Sequence, residues 1–273
     1  MLAGRVLFSI VLLIALTTAW AARAATIYYV DADKPVGGDG LSWSTAFNDV
    51  QAAINAANAA GDEVWVAEGI YYPTFQRDST QPRSATFLLR ADIRIYGGFQ
   101  GTETSPDARD IDNHRTILSG DIGTAGEPAD NAFHVVTGAA NVVLDGVCIC
   151  DGNANESVGA DSHGGGVYYA GSGALTLRNC QIERNAATAG GGAYFSGLSL
   201  LAVEASEFVE NSATSSDGGG LYLSGYQAYF ADSFFVDNVA GGFGGGVSLY
   251  GDNLTIANCF FSANSAANGA GVS

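Results

Sequence analysis

Asparagines recur at Asn185, Asn211, Asn238 and Asn264, in steps of 26, 27 and 26 residues, and their neighbours recur with them. No other feature constrains this 273-residue chain as strongly, because a period of that length means one structural unit laid down repeatedly. Three positions before each asparagine stand Ile182, Phe208, Phe235 and Phe261. Five before stand Cys180, Ser206, Ser233 and Cys259, and eight before stand Leu177, Val203, Phe230 and Ile256. Two after stand Ala187, Ala213, Ala240 and Ala266. Glycine triplets begin at Gly164, Gly190, Gly218 and Gly244, with a degenerate Gly269-Ala270-Gly271 behind them. Val167, Ala193, Leu221 and Val247 follow the triplets, and Tyr169, Phe195, Leu223 and Leu249 come two residues later. Within each short run these columns alternate with period two, the signature of a strand with one buried face. One such unit cannot bury its own apolar face, whereas stacked copies bury a continuous core.

Two solenoids accommodate the period. A leucine-rich repeat places apolar residues at the same offsets from an asparagine. It would need a helix or bulkier filler where this chain carries Gly-Gly-Gly-Val-x-Tyr, and it would not use Cys or Ser five before the asparagine. A right-handed parallel β-helix uses the whole unit, with three short strands and their turns per rung. The expected fold is therefore all-β, a right-handed parallel β-helix solenoid with an N-terminal amphipathic capping helix. Phe235 and Phe261 become neighbours in an inward stack about 4.8 Å apart. Asn185, Asn211, Asn238 and Asn264 become a structural ladder at a turn, each tolerating the left-handed region and bonding its amide to the next rung. The 37 glycines against five prolines suit many tight turns, and 47% apolar with 14% charged residues argues against disorder.

Residues 25–72 follow another plan. Ile27 to Val30 reads as a strand, followed by a polar loop. The spacing predicts a helix over 45–60, N-capped by Ser44 and ended by Gly61, with Phe47, Val50, Ile54 and Ala57 on one face. Val64 and Val66 alternate around Trp65 in a first rung that this helix would cover. Residues 73–153 make irregular rungs with long loops that carry Arg77, Arg83, Arg109 and Arg115, and residues 154–273 hold the regular repeats. Long loops on a rigid solenoid are where function usually resides. The sequence stops at "NGAGVS", inside a rung begun and not finished, so it reads as part of a longer protein.

Residues 1–24 read as a secretory signal peptide. Arg5 supplies the basic start, Val6 to Leu16 is apolar but short for a bilayer, and Ala22-Arg23-Ala24 is an A-x-A cleavage site that starts the mature chain at Ala25. An uncleaved anchor helix is the alternative. The net charge of −17 becomes −19 once Arg5 and Arg23 leave. Nucleic acid and anionic membranes would be repelled, leaving uncharged glycans, basic proteins or divalent cations as partners, although an acidic surface also serves plain solubility. Four cysteines are too few for a disulfide framework, and no C-x-x-C pair suggests zinc. They read as small core residues, with an approach of Cys148 or Cys150 to Cys180 left open.

The stretch "GDGLSWSTAFNDVQAAINAANAAGDEVWVAEGIYYPT", Gly38 to Thr74, resembles the N-terminal cap of secreted bacterial parallel β-helix proteins of the pectate-lyase-like superfamily. "IYGGFQGTETS" and "RTILSGDI" are similar to segments of the same proteins. The repeats resemble the Gly-Gly-Ala/Phe-x-x-Asn repeats of polymorphic outer membrane proteins. The resemblance covers nearly all of the mature chain. It implies the fold and export to the cell surface or the extracellular space. It implies little about activity, because such proteins include lyases, hydrolases and adhesins. Association with the outer membrane would come only through a region beyond residue 273.

A polysaccharide lyase needs a basic residue beside carboxylates that hold calcium. The mature chain has one lysine, Lys34, and the regular repeats hold only Arg178 and Arg184, without an acidic cluster. A glycosidase needs carboxylates converging at about 5–9.5 Å. Glu183, Glu210 and Asp237 occupy neighbouring registers, but in successive solvent-facing turns. His163 in "SHGGG" lacks the glycine and aspartates of a polygalacturonase-like motif and reads as a loop residue. No catalytic residue is assigned. Asp31, Asp33 and Asp39 are the candidate calcium ligands, although Pro35 breaks the EF-hand spacing and a simple turn also explains them. Tyr168, Tyr194 and Tyr222, followed by Ser248, point outward by alternation. They would form a platform for sugar rings or a partner protein, or else simply suit a strand surface. The functional expectation is an exported, non-catalytic β-helix that presents a rigid surface for adhesion or glycan binding, its partner a polysaccharide, a cell-surface glycan or a surface protein. A polysaccharide lyase or glycoside hydrolase is the alternative.

Overall fold

The computed structural model describes residues 23–156 and 159–273, so most of the expected signal peptide, residues 1–22, lies outside the described residues. Short strands stack into four sheets of eight, seven, four and seven strands. Among the described residues every strand pairing is parallel except that of Phe75–Gln76 with Ala85–Leu88. The all-β parallel β-helix expected from the period is the fold observed. One regular rung contains Leu200–Glu204 in the eight-stranded sheet, Glu207–Val209 in a seven-stranded sheet, Ser212–Ala213 in the four-stranded sheet and Leu221–Ser224 in the other seven-stranded sheet. Each regular rung thus holds four strands rather than three. The extra one is the two-residue strand at the alanine column, too short to show a period in sequence.

The repeat columns become vertical rows. Ile182, Phe208, Phe235 and Phe261 pair in register, as do Leu177, Val203, Phe230 and Ile256. The rings of Phe208, Phe235 and Phe261 stack at 4.9 Å between neighbours, almost parallel. Glycine is required where the chain turns beside this core. Gly190 has φ +61°, and a Cβ on Gly192 would sit 2.4 Å from the Gly220 carbonyl oxygen.

The asparagine ladder exists, but its residues do not take the left-handed conformation. The preceding residues do: Arg184, Glu210, Asp237 and Ala263 have φ between 52° and 56°. That single left-handed residue turns the chain, so the next side chain points inward. Asn185, Asn211 and Asn238 are almost wholly buried. Asn211 Oδ1 accepts from the Asn185 backbone N–H and from Asn185 Nδ2, each at 3.1 Å. Its Nδ2 donates to the Ile182 carbonyl at 2.8 Å and to Asn238 Oδ1 at 3.0 Å. Asn238 and Asn264 repeat the pattern one rung on. A parallel ladder runs through the Cys/Ser column, where the Ser206 hydroxyl accepts from the Cys180 N–H and the Ser233 hydroxyl from the Ser206 N–H. Cys180 therefore sits buried in a turn, whereas Cys148 and Cys150 alternate with inward Ile149 on their strand. All four cysteines are free.

The cap differs from expectation in extent. The helix spans Val50–Ala56, capped by Asp49, whose carboxylate accepts from the Gln51 N–H. Ser44 is not its N-cap: Trp43–Thr45 is a separate 3-10 turn capped by Ser42. Between them Phe47 is extended, donating to the Tyr29 carbonyl and accepting from the Asp31 N–H, so strand pairing overrides helix propensity there. At the other end Asn58 and Ala59 turn their N–H groups to the Asp62 carboxylate, which ends the helix before Gly61. The expected apolar face is correct. Val50, Ile54 and Ala57 are buried with Val64 and Val66, and Phe47 packs against the same core. Trp65, on the outer face of its strand, is covered by Tyr29, Trp43 and Phe99.

Phe235→Ala is expected to cost about 3–5 kcal/mol by opening a cavity within the ring stack. Asn211→Ala is expected to cost about 1–3 kcal/mol for each buried backbone group left without a partner, the Asn185 N–H and the Ile182 carbonyl among them. Denaturant unfolding of both variants measures these losses.

Candidate functional site

Two surface features stand out: one built on the regular repeats and extended by the loops, the other formed beneath a loop. The first is an aromatic ladder on the seven-stranded sheet that contains Val167–Ala170, Ala193–Ser196 and Leu221–Ser224. Tyr168, Tyr194 and Tyr222 pair in register and stand half-buried on the outer face. Tyr168 and Tyr194 stack with centroids 5.9 Å apart, and Tyr194 and Tyr222 at 4.7 Å with planes 3° from parallel. Ser248, next in the column, is buried. Tyr250, two residues on, extends the ladder at 5.5 Å from Tyr222, and its hydroxyl donates to Asp217. Because the rings stack on one another, the column presents edges and hydroxyl tips, not open faces. Burial in the stack raises the pKa of the Tyr194 and Tyr222 hydroxyls.

The ladder continues beyond the tyrosines into residues that the repeat pattern does not mark. The His134 ring stacks on Tyr168 at 4.8 Å, and the His163 ring leans on Tyr194 at 4.6 Å. His134 is buried, with Nδ1 2.9 Å from the Gly164 carbonyl oxygen and Nε2 3.3 Å from Asp161 Oδ1. Arg77, from the first long loop, pairs with the same carboxylate. Burial pushes the His134 imidazole below its ordinary range, opposed by the Asp161 and Gly164 acceptors. The Asp161 carboxyl is held down to about 2, first by its contact with His134 and then by Arg77. His134 lies in a rung that precedes the first glycine triplet, so no column predicts it. His163 is indeed in a loop, yet its ring joins the ladder.

The second feature is a groove of about 600 Å³ beneath the loop of residues 100–115. Arg109, Asp110, Asp112 and Arg115 come from the loop wall, and Cys148, Asn179, Gln181 and Glu207 from the successive rungs that form the floor. Arg109 is tied off by the Pro106, Gly97 and Asp145 carbonyls and the Asp145 carboxylate. Asp110 accepts from Asn113 in its own loop. Arg115 remains half-exposed, donating to Gln181 Oε1 at 2.6 Å and lying 3.5 Å from Cys148 Sγ. Glu207 is exposed on the far rungs of the floor, while Asp112 hangs from the loop. The groove lining includes the Arg115 guanidinium, the amides of Gln181 and Asn179, the latter donating to Asp145, and the carboxylates of Asp112 and Glu207, a set that can bond a polyhydroxylated ligand.

The four loop arginines share a structural task. Arg83 donates to the Asn131 and Asn153 carbonyls and covers Phe133, and Arg77, Arg109 and Arg115 each reach another rung. Glu183, Glu210 and Asp237 do not converge: Glu183 pairs with Arg184, while Glu210 and Asp237 are left-handed turn residues. Asp31, Asp33 and Asp39 also go separate ways. Asp31 pairs with Lys34 and accepts from the Asp33 N–H, and Asp39 accepts from Leu41 and Thr45. Among the described residues no three His, Cys, Asp or Glu side chains are placed to hold a metal ion together. Among them, too, no helix is long and apolar enough to cross a membrane.

Asp161→Asn is expected to flatten the acid limb of the stability curve. A carboxyl whose folded pKa is depressed contributes stability above its unfolded value, about 3.9 for aspartate, and loses it as pH falls toward the folded value. Unfolding measured between pH 5 and pH 2 (about the range of the two values) should show the wild type losing stability more steeply than the variant.

No curated protein and no solved structure matches the chain. The family described as the right handed beta helix region matches residues 130–273, more than half of the chain and all of its regular repeats. By that match, and by the stacked parallel sheets, the chain belongs to the right-handed β-helix family.

Proposed function

We propose that this is an exported, extracellular or cell-surface β-helix that binds glycan through the groove beneath residues 100–115 and adheres through its rigid face. The groove carries the proposal. It is open and concave, and it places the half-exposed Arg115 against the amide of Gln181, with Asn179, Glu207 and Asp112 in the same lining. Such planar donors and acceptors suit sugar hydroxyls, and a rigid scaffold lowers the ordering cost of binding. The tyrosine ladder supplements it as a strip of hydroxyl tips at the rung spacing, comparable to the length of a pyranose unit. Export is supported by residues 1–24 and by the resemblance of Gly38 to Thr74 to secreted proteins of the pectate-lyase-like superfamily. The Gly-Gly-Ala/Phe-x-x-Asn pattern supports a surface role like that of polymorphic outer membrane proteins. The alternative, a polysaccharide lyase or glycosidase, would draw its active groups from residues 73–131, where Arg115 and Asp112 line the same groove, or from a region beyond residue 273.

A glycan array and a polysaccharide depolymerisation screen, each with and without calcium, test the proposal. The expected outcome is binding without product. An Arg115→Ala/Gln181→Ala double variant should weaken binding about tenfold or more, as expected for lost charge-assisted hydrogen bonds. A Tyr194→Ser/Tyr222→Ser variant should leave groove binding in place and reduce attachment to extended polymers or cells. Released oligosaccharide would replace the binding proposal with the enzymatic one.

A further inference from the structure

Asp62 is fully buried, yet it is a carboxylate at the rim of the cap. Its Oδ1 accepts from the Thr26 N–H at 2.9 Å, and its Oδ2 accepts from the Asn58 and Ala59 N–H groups at 3.1 and 3.0 Å. Its one charged partner among the described residues is the Arg23 guanidinium, which bonds Oδ2 from a half-exposed position. A carboxylate withdrawn from water is costly unless a cation and hydrogen bonds compensate it. Arg23, however, lies on the wrong side of the expected cleavage between Ala24 and Ala25. Processing there removes this cation and creates another, the α-ammonium of Ala25.

The backbone already places that nitrogen near the carboxylate. Thr26 N touches Oδ1, and successive backbone nitrogens lie no more than about 3.8 Å apart. The Ala25 side chain packs beside Gly61, the residue before Asp62, with its Cβ 3.7 Å from where a Gly61 Cβ would stand. We infer that Asp62 is a binding site for the chain's own processed N-terminus, passed from the Arg23 guanidinium to the Ala25 ammonium on maturation. The inference rests on the proposal that residues 1–24 are a cleaved signal peptide. The other titratable groups around the site are Tyr28 beside Arg23, Glu63 and Arg94 on paired strands, and Asp92, whose carbonyl accepts from the Gly61 N–H. Arg94 is exposed and is the one competing cation among them. The socket also explains why the capping helix stops short of Gly61: its last expected turn is unwound to aim two N–H groups at Asp62.

The test compares three forms of the chain: one with a free N-terminus at Ala25, one acetylated there, and one extended by Gly-Ser. The expected result is an α-amine that titrates a unit or more above the ordinary range of about 7.7–8.0. Its raised pKa gives stability that is present below about pH 8 and lost as pH rises through the folded value. Both blocked forms should melt several degrees lower at pH 7 (about neutrality). In an Asp62→Asn background the amine should return to the ordinary range and blocking should cost nothing. If Asp62→Asn does not fold, the free and blocked forms alone decide. An amine titrating in the ordinary range, with equal melting of free and blocked chains, overturns the socket. N-terminal sequencing of the exported protein tests the cleavage reading separately, and a first residue other than Ala25 overturns the handover whatever the socket does in vitro.

Discussion

The amide of a buried asparagine holds one rung of this solenoid in register with the next. Asn211 reaches backward to the Asn185 N–H, to Asn185 Nδ2 and to the Ile182 carbonyl, and forward to Asn238, so each side chain bonds both neighbours. In a parallel sheet a slip of one residue would turn every inward side chain outward. With the asparagines aligned, the phenylalanines, valines and glycines of successive rungs can only align as well. The glycines depend on the same ladder, since the side chain of Asn211 occupies the space that a Cβ on Gly192 would need.

The irregular half of the molecule is held differently. Loops that break the repeat have no ladder of their own, and arginines clamp them to the rungs instead. Arg109 and Arg83 are sealed by backbone carbonyls and aromatic rings, while Arg115 and Arg77 reach polar side chains on other strands. The clamps shape both surface features. Arg115 roofs the groove, and Arg77 closes the ionic end of the aromatic ladder with Asp161 and His134. The cap shows the same economy on a smaller scale, with one buried carboxylate, Asp62, joining the start of the first strand to the end of the helix.

The repeat columns were legible because burial imposes period two on every strand and stacking imposes the same residue classes on every rung. Phe208, Phe235 and Phe261 could be placed without coordinates for that reason. The two-residue strands at Ala187 and Ala213 were not visible, since two residues carry no period. The asparagine column is legible in the sequence, but its backbone conformation is not. Asparagine's tolerance of the left-handed region points to the asparagine itself as the turn residue, whereas the residue before it, Arg184, Glu210 or Asp237, performs the turn and admits the amide to the interior. The periodicity locates the capping helix but overextends it, because its flanks have helical composition and are recruited by long-range partners, Tyr29 at one end and Asp62 at the other.

The amino-acid sequence by itself determined the solenoid, its inward rows, its capped start and the outward tyrosine column, since each follows from local periodicity repeated at a fixed interval. Only the tertiary structure decided what the surface offers. It turned the tyrosine faces onto one another, brought His134 from an unmarked rung beside Tyr168, gave Asp31 and Asp39 different partners, and set Arg115 against Gln181 in a groove. The contacts among these, Tyr194 with Tyr222, His134 with Tyr168 and Arg115 with Gln181, join residues on different rungs of the solenoid. No local pattern encodes them, because they depend on how rungs stack and where the breaks in the repeat fold back.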